Sequence, residues 1–220
     1  MARLSKWSPV EYIRGVAKRT YFLHSPTASG ALTGTAVVLW HGAGGDVDHP
    51  TLVSTVQAVV AEGGHAVRAR FPYRVQGRHA PDRMPKLIAS ARELLGRLTA
   101  EPPLSGARLI LGGRSMGGRM ASMLAAEGFD VDGLMLLSYP LHPAGKKDKL
   151  RADHLSSIRC PMIFLQGTKD NMSDLSLLRP VVEGLNGRAK LEVFDKGDHS
   201  MKRVDPELVA AAACRWAISL

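Results

Sequence analysis

Three residues of this chain have types and an order suited to nucleophilic catalysis: Ser115, Asp170 and His199. Ser115 stands within Gly113-Arg114-Ser115-Met116-Gly117-Gly118, a G-x-S-x-G pattern. A serine hydroxyl is a weak nucleophile until a base takes its proton, and the base needs a third group to hold its tautomer. His199, in Asp195-Lys196-Gly197-Asp198-His199-Ser200, offers that base, and Asp170, in Gly167-Thr168-Lys169-Asp170, offers the orienting carboxylate. Asp174, Asp195 and Asp198 compete for the acid role; Asp170 is preferred because it alone lies just past the penultimate apolar run. His24 and His65 fall outside the expected loop and His154 reads as helical, so His199 has few rivals. The chemistry would be acyl transfer. Ser115 would attack, His199 would take and return the proton, and Asp170 would stabilise the charged imidazole.

A tetrahedral intermediate also needs donors for its oxyanion. Trp40-His41-Gly42-Ala43-Gly44-Gly45 is a loop in which glycines let backbone N–H groups approach such an oxygen. The amides of Ala43 and of Met116, one residue past the nucleophile, are the expected pair. Gly42–Gly45 matches neither G-x-G-x-x-G nor a P-loop lysine motif, so nucleotide binding is discounted. No Cys/His spacing suits zinc, and neither a metal nor a cofactor is expected. Cys160 and Cys214 read as small buried hydrophobes.

These residues need elements that bring them to one edge. Short apolar runs at 35–40, 66–71, 108–112, 133–138, 162–166 and 190–194 alternate with amphipathic stretches at about 50–62, 83–99, 116–127, 173–184 and 206–218. Leu109-Ile110-Leu111 and Leu134-Met135-Leu136-Leu137 are continuously apolar, as expected of strands buried on both faces of a parallel sheet. The alternation predicts an open, doubly wound α/β domain, in which reactive groups gather after the carboxyl ends of strands. Ser115, Asp170 and His199 each follow such a run. The G-x-S-x-G pattern then sits on a strand–turn–helix, where the flanking glycines let strand and helix approach around a strained serine. Asp205, Pro206 and Glu207 mark the start of the last helix. Residues 20–24 are expected to add an edge strand.

Bulk properties narrow the classes. The 220 residues suffice for one domain, expected to span 1–220 with residues 1–30 as an extension or edge strand. No apolar run approaches the roughly 20 residues that cross a bilayer. Two cysteines are too few for a disulfide framework, and a cytoplasmic location is expected. Met1–Pro9 has no apolar core like that of a secretory signal, although the first 20 residues are basic enough for a transit peptide. The net charge of +9 is scattered rather than gathered on one basic element, so nucleic acid is not an expected partner.

The chain resembles the α/β-hydrolase superfamily beyond these three residues. His41-Gly42-Ala43-Gly44-Gly45, Pro72-Tyr73-Arg74-Val75-Gln76-Gly77-Arg78, Gly113-Arg114-Ser115-Met116-Gly117-Gly118-Arg119 and Tyr139-Pro140-Leu141-His142-Pro143 together resemble a small branch containing testis-expressed protein 30 relatives. That branch is distantly similar to dienelactone hydrolases, which use cysteine where this chain has Ser115. The resemblance covers about residues 33–218. It implies an α/β-hydrolase fold of about six to seven mostly parallel strands with a minimal lid, and Ser115, Asp170 and His199 in catalytic positions.

The expected function is hydrolysis of small carboxylic esters or thioesters. Alternatives are a small-peptide or amide hydrolase, and a binding or scaffolding module on the same fold. Only about 20 residues separate Ser138 from Cys160, so an exposed pocket is expected, with Tyr73, Arg74, Arg78, Tyr139 and His142 on loops at its rim. His41, Gly42, Tyr73, Arg74, Tyr139 and His142 are the candidate substrate-binding residues. For His41 and His142, lining the site and bonding a loop carbonyl are equally open readings. Arg74, Arg78 and Arg114 could bind an anionic group or be paired structurally. An exposed apolar patch beside the short connection would favour a homodimer.

Overall fold

Period-two alternation along the strands divides the apolar residues between two faces of one sheet. In the computed structural model, which describes residues 20–220, the strands are β1 (Tyr21–His24), β2 (Thr35–Trp40), β3 (His65–Ala69), β4 (Arg108–Arg114), β5 (Gly133–Leu137), β6 (Met162–Gly167) and β7 (Ala189–Phe194). Their order is β1-β3-β2-β4-β5-β6-β7. β1 runs antiparallel to β3, and every other pairing is parallel. Ala36, Val38 and Trp40 of β2 face one core, and Val37 and Leu39 face the other. β4 divides likewise, with Leu109 and Leu111 opposite Ile110.

Helices cover both faces. α3 (Met84–Ala100), α4 (Met116–Ala126) and α5 (Leu175–Glu183) close the first core, through residues such as Leu95, Met120 and Leu178. α1 (Pro50–Ala61) and α6 (Pro206–Ile218) close the second, through Leu52, Val56, Val209 and Trp216. α6 starts where its sequence signals place it: Asp205 accepts from the Glu207 N–H, and Pro206 opens the helix.

Several strand boundaries differ from the expected runs, most by a single residue and those of β3 and β4 by up to two. β3 starts at His65 and stops at Ala69, because the chain turns at Phe71 into a short helix, α2 (Pro72–Val75), whose Arg74 and Val75 N–H groups fold back onto the Phe71 carbonyl. β4 runs two residues past 112, because Gly113 and Arg114 still pair with Leu136 and Leu137 of β5. Residues 20–24 do form an edge strand, over Tyr21–His24. The transit-peptide expectation falls on residues outside those described. Among the described residues no helix is long and apolar enough to cross a membrane. Between β5 and β6 the described chain carries one 3-10 turn, Asp153–Ser157, and no inserted domain.

Candidate active site

The turn from β4 into α4 puts Ser115 at φ 51° and ψ −114°, a conformation that non-glycine residues adopt only under strain. Strand and helix approach closely enough here to exclude side chains at two positions. A Cβ at Gly113 would lie 2.2 Å from the Trp40 carbonyl oxygen, and one at Gly117 would lie 2.4 Å from the same atom. The local sequence therefore builds the sharp turn, and the neighbouring β2 dictates where small residues must stand. The Ser115 N–H is tied to the Leu137 carbonyl of β5.

His199 and Asp170 reach this serine from the loops after β7 and β6. The Ser115 hydroxyl lies 2.8 Å from Nε2 of His199. On the other side of the ring, Nδ1 lies 2.9 Å and 2.8 Å from the two carboxylate oxygens of Asp170. An Nδ1–H donated to the carboxylate leaves the Nε2 lone pair facing the hydroxyl, the tautomer a general base requires. Asp170 is fully buried at its side chain and is held by two more donors, the Met172 N–H at 2.8 Å and Nε2 of Gln166 at 2.6 Å. Every contact to the side-chain carboxylate comes from a donor, so its orientation is fixed on both oxygens.

The rival acids are engaged elsewhere. Asp174 caps α5 and pairs with Lys147, Asp195 sits 3.3 Å from the Thr168 hydroxyl, and Asp198 accepts from the N–H groups of Ser200 and Lys202. Gln166 was missed by the sequence reading. Its only local signal is a polar residue in the otherwise apolar strand Met-Ile-Phe-Leu-Gln-Gly.

The glycine loop after β2 lies beside the elbow, with Gly42 packed against Arg114 and Ser115. Among the described residues no acceptor takes the N–H of Ala43 or of Met116. These are the two amides expected to receive an oxyanion.

Residues 33–210 match the profile of the alpha/beta hydrolase domain family. The chain belongs to that family. Solved structures similar in fold include Est1E from Butyrivibrio proteoclasticus with ferulic acid bound, at 14% identity and TM-score 0.75, covering 90% of this chain and 94% of that one. A lid-less α/β serine hydrolase from Xanthomonas campestris matches at 20% identity and TM-score 0.72, over 90% of this chain and 87% of that one. A dienelactone hydrolase from Anabaena variabilis matches at 18% identity and TM-score 0.72, over 90% of each chain. At such identities the likeness is one of fold.

Within this hydrolase fold the expected rim residues turn out to brace loops from inside. His41 is fully buried: Nδ1 bonds the Gly42 carbonyl at 2.8 Å, and Nε2 accepts from the Phe71 N–H at 3.2 Å. His142 is equally enclosed, with Nδ1 on the Pro143 carbonyl and Nε2 accepting from the Asp174 N–H at 3.0 Å. Both ring nitrogens of each histidine are used, so the loop-carbonyl reading applies to both. Tyr73 and Tyr139 are buried too, their hydroxyls donating to the carbonyls of Ala43 and Arg151. The physical reason is shared: apolar rings carrying a polar tip fill the space under irregular loops and satisfy carbonyls that the sheet cannot.

The arginines behave alike. Arg74 faces Asp46 at 3.6 Å, Arg78 forks onto Asp82, and Arg114 bonds the His199 carbonyl, so structural pairing holds for all three. Burial pushes the Cys160 and Cys214 thiols up to about 11, which keeps them protonated and unreactive.

Proposed function

We propose that this hydrolase-family chain is a serine hydrolase cleaving small carboxylic esters or thioesters through an acyl-enzyme. The observation that carries the reading is the unbroken hydrogen-bond chain from Ser115 through His199 to Asp170 on a strained strand–helix turn. Ser115 Oγ attacks the acyl carbonyl while Nε2 of His199 takes its proton. The N–H groups of Ala43 and Met116 receive the oxyanion as it forms. The imidazolium, paired with Asp170, returns the proton to the departing alcohol or thiol. A water molecule, deprotonated by the same ring, then attacks the acyl-serine, and its proton returns to Ser115 as the acid leaves. The short β5–β6 connection supports small or extended substrates. The esterase name borne by one structural neighbour's domain agrees with this bond type.

The test is labelling with a fluorophosphonate probe, the adduct located by peptide mass spectrometry, followed by an ester and thioester panel. An adduct on Ser115, absent in Ser115→Ala and His199→Ala, together with turnover of the panel, is the expected result. Undiminished turnover in Ser115→Ala overturns the assignment. Well-folded protein with neither adduct nor turnover directs the search to a binding role for the fold.

A further inference from the structure

Arg114, immediately before the candidate nucleophile, is only 8% exposed. Taking a guanidinium out of water is unfavourable unless its charge and donors are met. None of the ion pairs among the described residues includes Arg114. Its Nη2 instead donates to the backbone carbonyl of His199 at 2.6 Å and lies 3.4 Å from the Ser200 hydroxyl. Its Nη1 lies under the glycine loop, where a Cβ on Gly42 would come within 2.8 Å of it. One buried side chain thus touches the segment carrying the base and the loop carrying an oxyanion donor, and it is covalently next to the nucleophile.

The surroundings offset part of that cost, although Nε of Arg114 is buried without a partner among the described residues. Asp170 and Asp198 act on Arg114 favourably, opposing the burial that would discharge it. From α1's N-terminal cap, His49 approaches the same loop: its Nδ1 lies 2.9 Å from the Thr51 hydroxyl, and the Ser200 backbone acts on its ring. Burial and the neighbouring Arg114 keep His49 neutral, lowering its pKa to about 4. The loop beginning at His199 is therefore gripped from behind at consecutive residues.

We propose that Arg114 is a positioning residue, whose guanidinium fixes the His199 main chain and the floor of the Gly42 loop in one geometry around Ser115. The inference rests on the reading of Ser115 and His199 as nucleophile and base. Those two residues lie 84 positions apart, and nothing in either loop alone sets their 2.8 Å separation. A charge-assisted bond to the carbonyl of the histidine itself limits how far the imidazole can drift. Misplacement by about 1 Å in such a pair lowers rate by about 100-fold. Lysine keeps the charge but lacks the planar fork that reaches both loops at once.

The test compares the full-length protein with Arg114→Met and Arg114→Lys. In Arg114→Met, fluorophosphonate labelling of Ser115 is expected to slow about 100-fold. The kcat for ester hydrolysis should fall in proportion while KM stays within about twofold, as for an interaction lost in the transition state. The downfield proton resonance of the His199 Nδ1–H is expected to be sharp in the wild type and to broaden or vanish in Arg114→Met. Arg114→Lys is expected to recover part of each signal. Wild-type labelling and a sharp resonance in Arg114→Met overturn the proposal. If Arg114→Met does not fold, the same pair of wild-type results in Arg114→Lys overturns it. The resonance reads positioning without any activity: a wild type that neither labels nor turns over sinks the hydrolase reading alone.

Discussion

The hydroxyl of Tyr73 donates to the carbonyl of Ala43 at 2.9 Å, tying the short helix after β3 to the glycine loop after β2. The ring of Tyr73 stacks on Phe71, and both meet the edge of His41, so the loop is anchored by an aromatic cluster as well as by the bond. Burial pushes the phenol up to about 12, which keeps it a donor across the working range. Tyr73→Phe keeps the packing and leaves the carbonyl unpaired. The expected loss is about 1–2 kcal/mol of stability in a denaturant titration. Steady-state ester kinetics should show kcat reduced about tenfold with KM little changed, as the loop that presents the Ala43 amide loosens.

Asp170→Asn tests the acid. The carboxylate now accepts from His199, Gln166 and Met172, and an amide group there must turn its NH2 toward at least one of these donors. The histidine is then driven toward the tautomer that points a proton at Ser115. Turnover should fall on the order of 10⁴-fold, with a circular dichroism spectrum like that of the wild type.

Gly117→Ala probes the elbow. The added Cβ would meet the Trp40 carbonyl at 2.4 Å and the His41 carbonyl at 2.8 Å, both backbone atoms with little freedom to yield. Unfolding in guanidinium chloride should show a loss of about 1–3 kcal/mol, the range for overpacking. An unchanged midpoint would show that strand and helix can separate here.

Acid should weaken the fold through one buried and two half-buried histidines. Burial first, and then a nearby arginine, lowers His24, His49 and His154 from 6.5 to about 4. Between those values the unfolded chain binds protons that the folded chain refuses, so stability is full above pH 6.5 and declines toward pH 4. Melting temperatures taken across that window should fall steadily. Replacing His49 and His154 by glutamine should flatten the slope.

Much of this architecture is written in local pattern. The division of Ala36, Val38 and Trp40 from Val37 and Leu39 follows from strand periodicity, and the start of α6 at Asp205-Pro206 follows from capping chemistry. Ser115, Asp170 and His199 were legible because each follows an apolar run that must be a strand, and strands in one parallel sheet end at one edge. The boundary at Ala69 was not, because the apolar run continues to Phe71 while the chain already turns there into α2, whose Tyr73 bonds the distant glycine loop.

The sequence by itself determined which segments become strands and helices, and hence which residues arrive at the carboxyl edge of the sheet. Periodicity, glycine placement and capping act over a few residues, and they suffice for that. Only the tertiary structure decided what each polar group does on arrival. His41 and His142 hold loop carbonyls, Gln166 holds Asp170, and Arg114 holds the His199 main chain across 85 positions. A buried donor must find an acceptor wherever the folded chain offers one. That partner is selected by distance in space, which no local spacing encodes.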